Sequence, residues 1–192
     1  LGFSLDRKKK SDLFSRLQLE DEIQNCYGDI RNLDLLSKTI DNFQPEIVIH
    51  LAAQSIVSEA YDKPLETFST NILGTANLLE ATRNTKSIKS ILIITSDKCY
   101  ENDESGKLFT ESDKLGGHDP YSSSKACAEL ITSSYRKSFF NSFKNGISSI
   151  GIASARAGNI IGGGDWTSNR LIPDIFRSKY NNGKVFIRSP KS

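Results

Sequence analysis

Tyr121 and Lys125 stand four residues apart in Tyr121-Ser122-Ser123-Ser124-Lys125, at the opening of a helix-like stretch. Residues at this spacing share one helix face, which puts a phenol beside an ammonium. A free tyrosine titrates at about pH 10 and is a poor base at neutrality. A neighbouring cation favours the phenolate and lowers that value. Such a pair can take the proton from a hydroxyl while hydride leaves the same carbon. The spacing alone is common, and an ordinary helix start is its alternative reading. Ser96 adds weight, because it follows the apolar run Ile91-Leu92-Ile93-Ile94 at what should be the carboxyl end of a strand, where open α/β sheets place their ligands. Its hydroxyl can anchor the oxygen that Tyr121 deprotonates, or it can cap a turn. Ser96, Tyr121 and Lys125 in this order point to catalysis.

Three further segments end apolar runs. His50-Leu51-Ala52-Ala53-Gln54 brings small side chains that let a backbone approach a flat cofactor, or that form a tight strand-to-helix corner. In Tyr27-Gly28-Asp29-Ile30, Asp29 either accepts from an adenine amino group or caps the next helix. In Arg156-Ala157-Gly158-Asn159, Gly158 permits close approach and Asn159 offers donors to a carbonyl or diphosphate. Arg170 opens a later helical pattern and either contacts a diphosphate, with guanidinium and helix dipole acting together, or is a solvated arginine. His50 and His118 read as structural or surface residues.

The elements that must position these residues are legible as alternating patterns. Ile47-Val48-Ile49 and Ile91-Leu92-Ile93-Ile94 are continuous and β-branched, as expected of parallel strands buried on both faces. Shorter runs at 1–5, 24–27 and 150–153 can join them. A helix is expected over 65–83, with Phe68, Ile72, Ala76 and Leu79 on one face. Leu33, Leu36, Ile40 and Phe43 mark the helix before it, which Pro45 ends, and Ala126, Leu130 and Ser134 mark a third over about 122–143. Strands alternating with helices imply right-handed βαβ units and a doubly wound parallel α/β sheet. After Ala155 the pattern changes to Gly162-Gly163-Gly164, a polar loop and a helix around 170–180, which fits a smaller lobe. The expected division is 1–156 for a Rossmann-like domain and 157–192 for the start of a substrate lobe.

Composition excludes several classes. The 192 residues are 37% hydrophobic and 25% charged with a net charge of +2, so no broad basic field awaits nucleic acid. The longest apolar stretches, 47–53 and 90–95, are far too short to span a bilayer. Three cysteines without CxxC spacing and two histidines favour neither a disulfide framework nor a metal site, and no secretory signal opens the chain. A reducing cytoplasm is the natural setting. The run Arg7-Lys8-Lys9-Lys10 reads as a solvated loop. With no Met and a start that looks like mid-strand, the chain is expected to be an internal fragment.

Three segments carry a resemblance: Thr95-Ser96-Asp97-Lys98-Cys99-Tyr100-Glu101; Asp119-Pro120-Tyr121-Ser122-Ser123-Ser124-Lys125; and Ala155 through Asn159 to Gly162-Gly163-Gly164-Asp165-Trp166. Together with Thr70-Asn71-Ile72-Leu73-Gly74-Thr75 and Arg170-Leu171-Ile172-Pro173-Asp174, they make essentially the whole chain similar to the CDP-glucose 4,6-dehydratase family, in the extended branch of the short-chain dehydrogenases. The Tyr/Lys and His-Leu-Ala-Ala elements mark the superfamily, whereas Ser96-Asp97-Lys98-Cys99-Tyr100-Glu101 and Gly162-Gly163-Gly164-Asp165-Trp166 are far more specific. The resemblance implies transient oxidation at C4 of the glucose, loss of water across C5 and C6, and return of hydride to C6. It implies Tyr121 as the C4 base, Lys125 as its pKa partner, Ser96 as the oxygen anchor and Asp97 as the acid that protonates the departing C6 hydroxyl. In related dTDP-glucose dehydratases a glutamate at the position of Lys98 takes the C5 proton. Lys98 either serves as that base with a lowered pKa or stabilises the enolate while another group acts.

The resemblance further implies NAD held by Asp29, Ile30, Leu51, Ala52, Ala53, Asn71, Ala157 and Gly158 together with Tyr121 and Lys125. Ser96, Asn159, Arg170 and Leu171 would hold a nucleotide-diphosphate sugar. A homodimer or homotetramer is expected, with a role in deoxysugar supply for lipopolysaccharide O-antigen. Ser4 with Arg7 or Lys8 would tolerate NADP, and Ser58 stands where relatives often carry a basic residue. The usual first strand and glycine-rich diphosphate turn have no counterpart in this sequence. In the strand order 3-2-1-4-5-6 that strand is central, so the chain alone should leave two sheet edges unpaired, fold poorly and bind nicotinamide weakly. A nucleotide-sugar epimerase or decarboxylase would keep Ser, Tyr and Lys without needing Asp97 and Lys98. A non-catalytic regulator on the same fold would need none of them.

Overall fold

The computed structural model describes residues 1–6, 13–140, 150–181, 183–185 and 187. Each of the five apolar runs forms a strand: β1 (Gly2–Ser4), β2 (Asn25–Tyr27), β3 (Ile47–His50), β4 (Ser90–Ile94) and β5 (Gly151–Ala155). The helices are α1 (Leu13–Arg16), α2 (Leu33–Phe43), α3 (Val57–Asp62), α4 (Pro64–Phe68), α5 (Gly74–Thr82), α6 (Pro120–Tyr135) and α7 (Leu171–Tyr180). All strand pairs are parallel. β1 pairs with β2, and β3-β4-β5 form a second sheet in which His50 lies opposite Ile93, and Ile94 opposite Ala155. The chain is thus an α/β fold with parallel sheets, a partial Rossmann fold. Among the described residues β1 and β3 are not paired, so the strand set falls into two ribbons as the strand order implies.

Two compact units form. One comprises Leu1–Asp6 and Asn25–Gly158; the other gathers the described residues of Arg7–Gln24 and Asn159–Ser192. The sequence pattern puts one boundary at 156/157, whereas compactness divides the chain at 158/159 and groups part of the 7–24 segment with the second unit. The charged run 7–10 lies outside the described residues.

The core of the first unit joins Ile30, Leu36, Ile40, Leu78, Leu79, Ile91, Ile93 and Ile152. Burial on both faces holds for β4 but not for β3, where Ile47 and Ile49 are 66% and 56% exposed. Strand side chains alternate between faces, and at β3 only the Val48/His50 face is packed. The 33–43 helix forms as expected: Leu36 and Ile40 are buried, Phe43 is exposed, and Gln44 closes it in the left-handed conformation.

The helix expected over 65–83 is broken by a π-helical segment, Ser69–Leu73, between α4 and α5. A π turn inserts an extra residue and rotates the next turns about the helix axis. The buried positions are Thr67, Asn71, Gly74, Thr75, Leu78, Leu79 and Thr82, so the expected stripe of Phe68, Ile72, Ala76 and Leu79 survives only at Leu79. Gly74 stands where a Cβ would meet Ile30 Cγ2 at 2.6 Å, so only glycine lets α5 approach the exit of β2 this closely. The third helix begins at Pro120 and passes into a π segment, Arg136–Phe140, after Tyr135; positions 141–143 lie outside the described residues. Its expected stripe is corrected as well. Leu130 and Ser134 are exposed, while Tyr121, Ser124, Lys125, Glu129 and Thr132 are buried, because this helix buries its polar, hydrogen-bonded face.

Candidate active site

Asp119 and Pro120 set the start of α6. Proline suits the first helical position, and an aspartate before it caps the free N–H groups. Asp119 Oδ1 accepts from Tyr121 N at 2.9 Å and Ser122 N at 3.0 Å, and Oδ2 accepts from Ser122 Oγ. The cap therefore grips the residue that carries the phenol. Tyr121 and Lys125 are 9% and 7% exposed, so the pair sits within packed structure and is not a surface helix start. Lys125 Nζ donates to Ile94 O at 3.2 Å, tying the helix to the end of β4. Burial lowers the Lys125 pKa below the usual lysine range, and Glu129 opposes that shift.

Beyond β4 the chain makes a 3₁₀ turn, Asp97–Cys99, which packs against α6. Both readings of Ser96 coexist here. Its Oγ accepts from Lys98 N at 3.2 Å as the turn's cap, and the same hydroxyl donates to Asp97 Oδ1 at 3.2 Å. Ser96 is buried, whereas Asp97 and Lys98 are exposed. Asp97 N donates to Ala157 O at 3.1 Å, which draws the exit of β5 alongside. A Cβ on residue 158 would stand 3.3 Å from Asp97 Oδ2, so Gly158 keeps that approach open. The first unit thus brings Ser96, Asp97, Lys98, Tyr121, Lys125, Ala157 and Gly158 to the carboxyl ends of β4 and β5. A buried phenol and ammonium, a serine hydroxyl and an exposed carboxylate and amine are the groups needed to move protons on and off a bound polyol.

The other candidates take varied places. Asn71, 2% exposed, has its amide engaged by protein: Oδ1 accepts from Gln54 N at 2.8 Å, and Nδ2 donates to Gln54 O at 2.9 Å and to Ser124 Oγ at 2.8 Å. It therefore braces the loop after β3 against α6. Leu51 is 68% exposed, Ala52 packs against the core, and Ala53 is half-buried. Ile30 is a core residue whose main-chain carbonyl accepts from Asn77 Nδ2 at 3.2 Å. Asp29 receives Arg31 through Nη2 at 2.6 Å and Nε at 2.9 Å, and Asn32, not Asp29, caps α2 through a bond from Leu35 N. Asn159, Arg170 and Leu171 belong to the second unit. There Arg170 is the residue at the head of α7, 3.9 Å from Asp165 Oδ2, while Asn159 and Leu171 are exposed.

His50 is structural, as read from sequence. Thr75 Oγ1 gives its proton to Asn71 O at 2.7 Å, so the 3.1 Å contact must be donated by His50 Nε2. Burial, aided by the Lys125 charge, holds its pKa down to about 4. Sequence reasoning missed Gln54, the Asp119 cap and Glu129. The Asp-Pro pair was a legible helix-start signal. Glu129 falls on the Tyr121–Lys125 face, but its partners come from distant strands. Among the described residues no group of three or more His, Cys, Asp or Glu could hold a metal, and no helix is long and apolar enough to cross a membrane.

Known proteins are similar to this chain. The CDP-glucose 4,6-dehydratase of Salmonella typhimurium is 49% identical over 191 residues, covering 100% of this chain and 53% of that enzyme. The dTDP-D-glucose 4,6-dehydratase of Dictyostelium discoideum is 31% identical over 170 residues, covering 83% of this chain and 37% of that one. The chain thus spans about half the length of the first of these relatives and less of the second. The solved dTDP-glucose 4,6-dehydratase of Bacillus anthracis, in complex with NAD, aligns with a TM-score of 0.71 at 25% identity, over 91% of this chain and 50% of that one. Residues 3–159, which hold β2 to β5, most of β1 and the Tyr121–Lys125 helix, match the GDP-mannose 4,6 dehydratase description, and the chain belongs to that family.

Proposed function

We propose that the complete protein is an NAD-dependent nucleotide-sugar 4,6-dehydratase that converts CDP-glucose to CDP-4-dehydro-6-deoxy-glucose and water. The observation that carries this reading is the Asp97-Lys98 turn, set against the helix of buried Tyr121 and Lys125 and capped by Ser96. Epimerisation would need Tyr121, Lys125 and Ser96 alone. The identity to a CDP-glucose enzyme over the whole chain supports the nucleotide.

The residues present fit a flat dinucleotide. Ala52, Ala53, Ala157 and Gly158 are small at the strand exits, and the glycine keeps the approach to Asp97 open. Asp29, the Ile30 main chain and Leu51 would complete the cofactor side, with Asn71 acting through the loop it braces. NAD, when bound, holds the hydride taken from C4 until it is returned to C6.

In this reading the Tyr121 phenolate takes the proton of the C4 hydroxyl, and the Lys125 ammonium stabilises that phenolate. Ser96 holds the C4 oxygen. With a ketone at C4 the C5 proton becomes acidic. Lys98 either removes it or stabilises the resulting enolate while another group takes the proton. Asp97, which stands exposed beside Ser96, gives a proton to the departing C6 hydroxyl, which leaves as water. Asn159, Arg170 and Leu171 hold the nucleotide-diphosphate portion.

Incubating the complete protein with CDP-glucose should yield a base-labile 4-keto chromophore and a product that lacks the C6 hydroxyl. An epimerised sugar with that hydroxyl retained would overturn the reading. dTDP- and GDP-glucose in parallel reactions decide the nucleotide.

A further inference from the structure

Tyr121, Lys125 and Glu129 succeed one another at one-turn intervals on α6, and Glu129 has no part in the chemistry above. It is buried, and its carboxylate is fully engaged. Oε1 accepts from Thr95 Oγ1 at 2.5 Å, and Oε2 accepts from Ser154 Oγ at 2.8 Å and Arg156 Nη2 at 3.1 Å. Its three partners lie at the exits of the two strands that carry the site. Thr95 comes directly after Ile94, whose carbonyl receives Lys125 Nζ. Arg156 precedes Ala157, whose carbonyl receives the Asp97 N–H. Arg156 is held from its far side too, with its guanidinium 4.8 Å from the Tyr100 ring centroid and Nη1 donating to Glu111 O at 3.1 Å. An apolar contact would fill this space without desolvating two charges. The ion pair instead fixes direction, since each donor meets one carboxylate oxygen in one geometry.

We propose that Glu129, paired with Arg156, is a positioning residue that sets the register of the Tyr121–Lys125 helix against the Ser96–Asp97 turn and the Ala157–Gly158 segment. The inference rests on the dehydratase reading in taking Tyr121 and Lys125 as the working pair. It also has an electrostatic side. Lys125 shares a helix face with Tyr121 and faces Glu129 on its own helix, His50 from β3 and the Ile94 carbonyl from β4; Glu129 faces Arg156, Thr95, Ser154 and Cys99. His50 is neutral above about pH 4, and burial pushes the Cys99 thiol up to about 11. Burial also works against the Glu129 charge, but bonds from Arg156, Thr95 and Ser154 together hold its pKa below the usual range. Glu129 is thus the anion whose charge opposes the effect of burial on Lys125, and Arg156 tempers it.

The test compares Glu129→Gln, Arg156→Gln and the double variant in the complete protein. It tracks the Lys125 ε-carbon resonance against pH, assigned by its loss in Lys125→Met. Glu129→Gln should move the Lys125 titration to lower pH, because an anion is lost and Arg156 is left unpaired. Arg156→Gln should move it to higher pH, since the Thr95 and Ser154 hydroxyls still hold the carboxylate ionised. The double variant should return close to the parent. In turnover, Glu129→Gln should lower kcat by about 10²-fold with a smaller change in KM, as expected when reacting groups shift by about an ångström. Single variants that leave the Lys125 titration in place, or that move it in the same direction, would overturn the proposal. If Glu129→Gln does not fold, the upward shift in Arg156→Gln decides alone. The resonance needs no substrate, so an inactive parent would sink the dehydratase reading while leaving this one decided.

Discussion

At the scale of single residues, burial does more to set this site than charge does. Lys125 and His50 are both buried, both have depressed pKa values, and each charge would disfavour the other. His50 carries a direct consequence for stability. Its ordinary value is 6.5 and its folded value about 4, so between those values the unfolded chain binds the extra proton. The stabilisation is therefore fully present above about pH 6.5 and is lost as pH falls through about 4. It amounts to roughly 3 kcal/mol on the usual conversion of pKa units to energy. Thermal melts of the complete protein from pH 7 to pH 4 should show a falling midpoint, and His50→Gln should flatten that slope. A slope unchanged in the variant would assign the acid sensitivity to other groups.

At the scale of elements, the site is organised by a polar brace and not by an apolar stripe. The π segment Ser69–Leu73 turns Asn71 inward, where one side chain satisfies both main-chain groups of Gln54 and the Ser124 hydroxyl. Ser124 in turn donates to Tyr121 O at 2.7 Å, so the brace reaches the first turn of α6. Removing it strands buried donors and acceptors, each costing about 1–3 kcal/mol. Asn71→Ala should therefore cost about 3 kcal/mol in denaturant unfolding, far more than truncation of an exposed asparagine. A loss below about 0.5 kcal/mol, typical of surface sites, would show that the brace carries no weight. Apolar periodicity points to a different face, because here Thr67, Asn71 and Thr75 fill the interior.

At the scale of the whole molecule, the described strands form a two-stranded and a three-stranded parallel ribbon without a ladder between them. Parallel strands are ordinarily interior elements, and an isolated two-stranded pair is marginal in water. Edge β3 shows Ile47, Ile49 and Leu51 at 66%, 56% and 68% exposure. The isolated 192-residue chain is accordingly expected to unfold over a broad range, to associate through its edges and to bind NAD weakly. Circular dichroism melts with and without NAD check this. A sharp cooperative transition raised by NAD would refute it.

Read by itself, the sequence determined the five strands, the parallel α/β class and the start of the Tyr121–Lys125 helix, and it picked out Ser96, Tyr121 and Lys125 as candidates, because these arise from local runs, caps and spacings. It also carried the split of the sheet, since strand order is a property of the family pattern. The tertiary structure alone decided that Glu129 is clamped by Thr95, Ser154 and Arg156, that Asn71 is a brace, and that Asn32 caps α2 in place of Asp29. Each of these turns on which distant backbone or side-chain group fills a hydrogen-bonding position once the elements pack. Buried polar groups must find partners wherever the fold supplies them, and that choice has no period along the chain.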